Sequence, residues 1–249
     1  MTANEGASAM TTLLPSTWSH ADVQALRIRY DTNDGHVLYY HDTPVTTPDG
    51  HRIGHRRRAI VHAVLCEAWL NGGLDVTSGQ YFSLFATQHD LLADGFAHFV
   101  AQMPHLLVAH EVTTQMSPGP EQVDQRWAWR SVEAWLNEHG LTLLTVGLRV
   151  DERVVALVSE TLLALHPAQQ SAVMTLYFRH RMSVLLGLMV VWGRCTADEY
   201  VLGALVNTTA YPPNGLDDDA IAVYADTALQ WAREVQVACD YCTIMMRTE

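Results

Sequence analysis

The sequence predicts an α+β protein, with an N-terminal β-rich domain followed by an all-helical C-terminal domain. Three observations carry that expectation. Turn-forming residues punctuate short β-rich runs before residue 51, apolar residues recur at helical spacing with end caps beyond residue 120, and Ser117-Pro118-Gly119-Pro120 interrupts the chain between them. The expected boundaries are an extended tail over residues 1–19, a β-rich domain over 20–116 and a helical domain over 121–249.

Residues 26–41 read LRIRYDTNDGHVLYYH, two β-rich runs around a turn at 31–35, where Asn and Asp before Gly supply left-handed backbone. Pro48-Asp49-Gly50 closes a second extended segment over 43–47. A helix is expected over 56–71, with Ile60, Val64 and Ala68 on one stripe and Gly72-Gly73 as its stop. Two shorter segments follow at 80–88 and 89–103, and LLVAHEV at 106–112 reads as extended. Residues 121–139 carry Trp127, Trp129 and Trp135 in a helix ending at Gly140, and 141–150 read as a strand. Helices are expected over 151–165, 168–193, 196–207 and 217–246, with Asp151, Thr196 and Asp217 as N-caps and Gly193 as a stop.

The 249 residues are 49% apolar and 17% charged, a folded chain with ample core. A net charge of −12 argues against wholesale nucleic-acid binding and favours solubility and a basic partner. Four cysteines are too few and too scattered for a disulfide scaffold, which points to a reducing or matrix-like compartment. The longest apolar run, 182–192, is far shorter than the ~20 residues a bilayer requires and reads as a buried core helix. The first twenty residues lack a basic, apolar secretory pattern, and the first arginine is Arg27. A targeting address is therefore expected elsewhere, or the sequence starts after processing.

Four constellations bear on chemistry. His55, with His89 and Asp90 about thirty residues later, resembles the metal-holding set of HD-type phosphohydrolases, but no matching downstream aspartate accompanies it. Cys239-Asp240-Tyr241-Cys242 lies late in a helix with no second ligand pair, so packing explains it better than zinc or redox work. The basic run from Arg52 to Arg58 lacks a glycine-rich phosphate loop and opposes the helix dipole, so it reads as a solvated edge or a protein contact. Asp217-Asp218-Asp219 are ordinary first-turn carboxylates. No catalytic, cofactor or metal residue is assigned, and the chain is expected to be non-enzymatic.

The order of segments resembles a family, the mitochondrial and proteobacterial chaperones that bind the α subunit of ATP synthase during assembly. The carriers are the turn at 43–50 (TPVTTPDG), Cys66-Glu67-Ala68-Trp69 with Asn71, residues 83–90, Leu106-Leu107-Val108-Ala109, 125–135, 140–146, 185–193 and Thr196-Ala197-Asp198-Glu199-Tyr200. Their spacing extends over about 200 residues. The resemblance implies a β-rich domain before a helical one, protein partners in ATP synthase or another mitochondrial complex, no cofactor, and a mitochondrial matrix location. It also places His89 and Asp90 at a structural position.

One segment departs from that family. Where the family has an acidic stretch, residues 205–215 read LVNTTAYPPNG, with Asn207 and Pro212 in place of glutamates. That loss is compatible with a permanent structural subunit as well as a transient assembly factor. The candidate partner-binding residues are Arg56, Arg57, Tyr211, Asp217 and Asp218. Elemental analysis of the purified protein separates these readings from the phosphohydrolase. No stoichiometric divalent ion is expected, and an ion lost on His55→Ala or His89→Ala would reverse the ranking.

Overall fold

The structure, a computed structural model, describes residues 18–78, 80–109, 111–114, 122–142, 150–181, 183–206 and 218–247, apart from the side chains of residues 94, 218 and 220. The chain divides into two compact units, Met1–Asp75 and Val76–Glu249. That division falls about forty residues before the Ser117–Pro120 break proposed from sequence, which lies outside the described residues. The α+β expectation holds: a small antiparallel sheet comes first and a mostly helical region follows.

In the first unit, a short helix α1 (His20–Gln24) precedes the hairpin β1 (Leu26–Asp31) and β2 (Gly35–Tyr40). The expected turn forms because Asp31 Oδ1 accepts the backbone N–H of Asn33 at 2.8 Å and of Asp34 at 3.2 Å. Gly35 sits at φ +78°, and a Cβ there would stand 2.7 Å from the Arg56 Cα, so both its conformation and its close neighbour require glycine. Strands β3 (Thr43–Pro44) and β4 (Gly54–His55) both pair with β2. Helix α2 (Arg58–Asn71) packs on this sheet through Ile60, Val61, Val64 and Ala68, and Gly72 ends it in the left-handed region at φ 72°.

The second unit is helical: α3 (Tyr81–Ala86), a π turn (Thr87–Leu91), α4 (Leu92–Ala101) and α5 (Met103–Ala109) lead to a 3-10 turn (Val112–Thr114). Then come α6 (Gln122–Ala128), α7 (Arg130–Glu138), α8 (Glu152–Ala164), α9 (Pro167–His180), α10 (Val184–Val191), α11 (Ala197–Leu205) and α12 (Asp218–Met246). All eight residues of α10 are buried, as an all-apolar helix demands. Helix α9 packs against α10, α12 and α3, so α9 and α10 form the centre of the core. Two of the three caps read from sequence are present, and Asp217 lies outside the described residues. Asp151 accepts the Arg153 N–H at 2.8 Å, and Thr196 and Glu199 form a capping box.

Two sequence expectations are corrected. Residues 106–109 are helical, not extended, because Met103 and Leu107, one turn apart, both go to zero exposure while Val108 faces out. A short apolar run fits strand and helix equally, and here packing against α8 decides it. The single helix expected over 168–193 is two helices. Arg181 takes left-handed backbone at φ 53°, and Ser183 caps α10 by accepting the Leu186 N–H at 2.9 Å. The proposed strand at 141–150 falls mostly on residues 143–149, outside those described.

The cause of the break is a tertiary contact. Glu111 is 1% exposed, and its Oε2 accepts the N–H of Val184 at 2.8 Å and of Leu185 at 3.3 Å. The Ser183 hydroxyl donates to Oε1, as does the Thr113 hydroxyl at 2.9 Å. Burial pushes this carboxyl above its ordinary value, and the donors around it offset that rise only in part. Replacing Glu111 by Ala leaves those buried donors unmatched. The variant is expected to lose about 3 kcal/mol in urea unfolding followed by circular dichroism; an unchanged midpoint would contradict this.

Candidate functional site

Arg56 and Arg57 lie in the first unit, between β4 and α2, with Arg56 exposed and Arg57 half-buried. The Arg57 N–H donates to His55 Nδ1 at 3.0 Å, and burial followed by the Arg57 charge lowers the His55 pKa. His55 thus stays neutral as a local cap for the turn into α2. Asp218 opens α12 in the second unit, whereas Tyr211 and Asp217 lie outside the described residues. The proposed partner-binding residues therefore fall in two separate units.

The chemical constellations resolve into packing. His89 and Asp90 sit in the π turn, where the His89 ring lies 4.2 Å from that of Phe85. Among the described residues no three His, Cys, Asp or Glu side chains group as a metal site. The Cys239 thiol faces the Val190 carbonyl at 3.8 Å and the Cys242 thiol faces the Ala168 carbonyl at 3.5 Å. Burial pushes the Cys195 and Cys242 thiols up to about 12, which keeps them protonated and unreactive.

The last turn of α9 does two things at once. Inward, His180 stacks on Trp231 of α12 with ring centroids 4.3 Å apart. Its Nε2 is 2.9 Å from Glu234 Oε2 and its Nδ1 is 3.0 Å from the Tyr200 hydroxyl. A neutral ring satisfies both contacts, with Nε2–H donating to the carboxylate and Nδ1 accepting from the tyrosine. Arg179 adds a two-point bond to the same carboxylate at 2.9 and 2.6 Å, and Gln230 donates at 3.0 Å. Burial alone would raise the Glu234 pKa, but these donors outweigh it and hold the group at about 2. Burial lowers the His180 pKa, in agreement with the neutral ring.

Outward, the same turn carries Tyr177 and Phe178. Their rings and that of Phe99 on α4 form a cluster with centroids 5.5 to 5.8 Å apart. The cluster lines an open groove of about 590 Å³, completed by Gly95, Leu106 and Met174 with His98 and Arg181 at its polar margin. Phe178 remains 53% exposed although Tyr177 before it is buried. A large exposed aromatic held on a rigid helix is the kind of side chain that anchors a protein partner. Sequence reasoning missed this groove, because Leu176-Tyr177-Phe178 reads as core and its partner Phe99 lies nearly eighty residues earlier. Helix α12 exposes further apolar side chains at Ile221, Val223 and Leu229.

The Glu234 contacts set a pH dependence. A carboxyl held at about 2 in the fold and at an ordinary value when unfolded contributes stability that is complete above the unfolded pKa. That contribution is lost as pH falls from about 4.5 towards 2. Acid titration of stability by urea unfolding is expected to lose this component in Glu234→Gln; parallel profiles for the two proteins would refute it.

No protein-family model and no curated protein sequence matches the chain. Solved structures do. A point variant of Atp12 from Paracoccus denitrificans superposes with a TM-score of 0.68 at 16% identity, covering 92% of this chain and 98% of that one. Atp12 from Paracoccus denitrificans itself gives 0.67 at 16% identity, with 91% and 96% covered. A protein from Agrobacterium tumefaciens, provisionally titled a chaperone, gives 0.66 at 17% identity, with 86% and 83% covered. Across nearly its whole length, this chain has the fold of Atp12.

Proposed function

We propose that the chain is a non-enzymatic, protein-binding assembly factor of ATP synthase that recognises the α subunit. The observation that carries this reading is the match to Atp12 over 92% of the chain. The sequence resemblance to ATP synthase assembly chaperones points the same way. The groove supports it physically: Phe178 offers an exposed apolar ring, backed by the buried rings of Phe99 and Tyr177. The matrix side of the mitochondrion is the compartment that goes with this role. No described helix is long and apolar enough to cross a membrane.

A structural-subunit role is the second reading. It rests on residues 205–215, where Asn207 and Pro212 replace the carboxylates of the chaperone pattern. A protein that keeps its binding surfaces without that acidic stretch suits permanent retention in a complex. Stoichiometry separates the two roles.

Affinity purification from the source organism is expected to recover free α subunit substoichiometrically, whereas one-to-one retention in intact ATP synthase would select the structural subunit. Recovery of no ATP synthase component defeats both. The exposed Phe178 gives a sharper arm. Phe178→Asp is expected to weaken α-subunit capture at least about tenfold, with the thermal midpoint within about 2 °C of the parent.

A further inference from the structure

The first unit contains an open cleft of about 890 Å³. Helix α2 lines it with Arg58, His62, Leu65, Trp69 and Gly72, spaced alternately four and three residues apart, so one helical stripe faces the cleft throughout. The opposite side is contributed by α1, through His20, Val23 and Gln24. Between them lie Leu26, Arg27 and Ile28 of β1. Side chains of consecutive strand residues point to opposite faces, so a cleft that touches all three runs along the strand's edge. That edge is open: among the described residues β1 pairs only with β2.

The cleft is polar at one end and aromatic at the other. Arg58 and Arg27 supply cationic groups, and among the described residues no carboxylate lines the wall. Elsewhere in this unit Arg29 pairs with Asp42 and Arg52 with Asp34, but neither Arg27 nor Arg58 is in an ion pair among the described residues; Arg27 donates one Nη to the Gln24 and Leu26 carbonyls, which carry no full charge. In a chain of net charge −12, two such arginines in one cleft mark a local demand for negative charge. At the other end, Trp18 rests on Gly73, where a Cβ would come within 2.5 Å of its ring. The Trp69 indole N–H donates to the Val23 carbonyl at 3.2 Å, yet the residue stays 53% exposed. Both tryptophans are thus fixed in place with open apolar surface.

We propose that this cleft receives an extended acidic segment of a partner protein, which adds a strand to the β1 edge. Its carboxylates meet Arg27 and Arg58, and an aliphatic or aromatic side chain enters between Trp18 and Trp69. Backbone hydrogen bonds along the edge supply affinity, and the two ends of the cleft supply selectivity. Arg58 and Trp69 are eleven residues apart on α2, roughly 16 Å, which corresponds to about five residues of extended chain. The expected segment therefore has its acidic residues and its apolar anchor about five positions apart. The inference does not rest on the chaperone reading, because it concerns a different surface and is tested without ATP synthase.

The test uses fluorescence anisotropy with the full chain and labelled decapeptides of alternating Val and Thr, carrying two glutamates and a leucine about five positions away. Both orders along the peptide are used. One of them is expected to bind, and to weaken about tenfold or more in three cases: lysine in place of the glutamates, N-methylation of alternate peptide nitrogens, and Arg58→Glu in the protein. Arg27→Gln is the second variant, and thermal unfolding verifies that both variants fold. Failure of both peptides to bind refutes the proposal, as does undiminished binding of the lysine peptide, of the N-methylated peptide or to Arg58→Glu. Binding that appears only after removal of residues 1–17 would give the cleft to the chain's own leading segment. A dimer that Arg58→Glu dissociates would give it to a second copy; either result overturns the proposal.

Discussion

The Glu111 carboxyl has almost no contact with water, and it is accommodated there because Ser183, Thr113 and the first N–H groups of α10 converge on it. Burying a carboxyl costs several kcal/mol unless its polar atoms are matched, and these donors match them. The consequence is topological. A long apolar run that would continue as one helix is forced to stop, turn through Arg181 and restart at Val184. The end of α9 is thereby fixed in space, and both faces of its last turn become useful.

One face of that turn anchors α12 and the other opens to solvent. His180 and Arg179 hold Glu234, while Phe178, adjacent in sequence, is left outside against the buried rings of Tyr177 and Phe99. A buried polar network is costly to rearrange once every member is satisfied, so it gives the neighbouring aromatics a rigid base. Rigid aromatics lose little entropy when a partner covers them. Stability and the proposed recognition thus share one helical turn, and the stable part explains how the exposed part can remain apolar without collapsing inward.

Local features were legible in the sequence, and long-range ones were not. Asn33-Asp34-Gly35 announces its hairpin because the backbone conformation is specified by the residues that adopt it. Asp151 and Thr196 announce helix starts because a cap reaches only two or three residues. The break after His180 escaped notice because no proline or glycine marks it. Its cause is a carboxylate seventy residues upstream. The aromatic groove joins Phe99 to Phe178, and the unit 1 cleft joins β1 to α2, so neither exists until the chain folds. The arginine run shows the mixed case: Arg58 was visible as part of a basic patch, but its alignment with Trp69 follows only from helix geometry. The place of the CxxC pair late in a long helix denies it a positive dipole, and its thiols face the Val190 and Ala168 carbonyls.

The proposed role brings the α subunit of ATP synthase onto the groove at Phe178. Site-specific photocrosslinking tests this link most directly. A photoreactive phenylalanine analogue at position 178, illuminated in the source organism, is predicted to form a covalent adduct with the ATP synthase α subunit. Adduct formation only with proteins outside ATP synthase, or none from position 178 in a folded protein, would contradict the account.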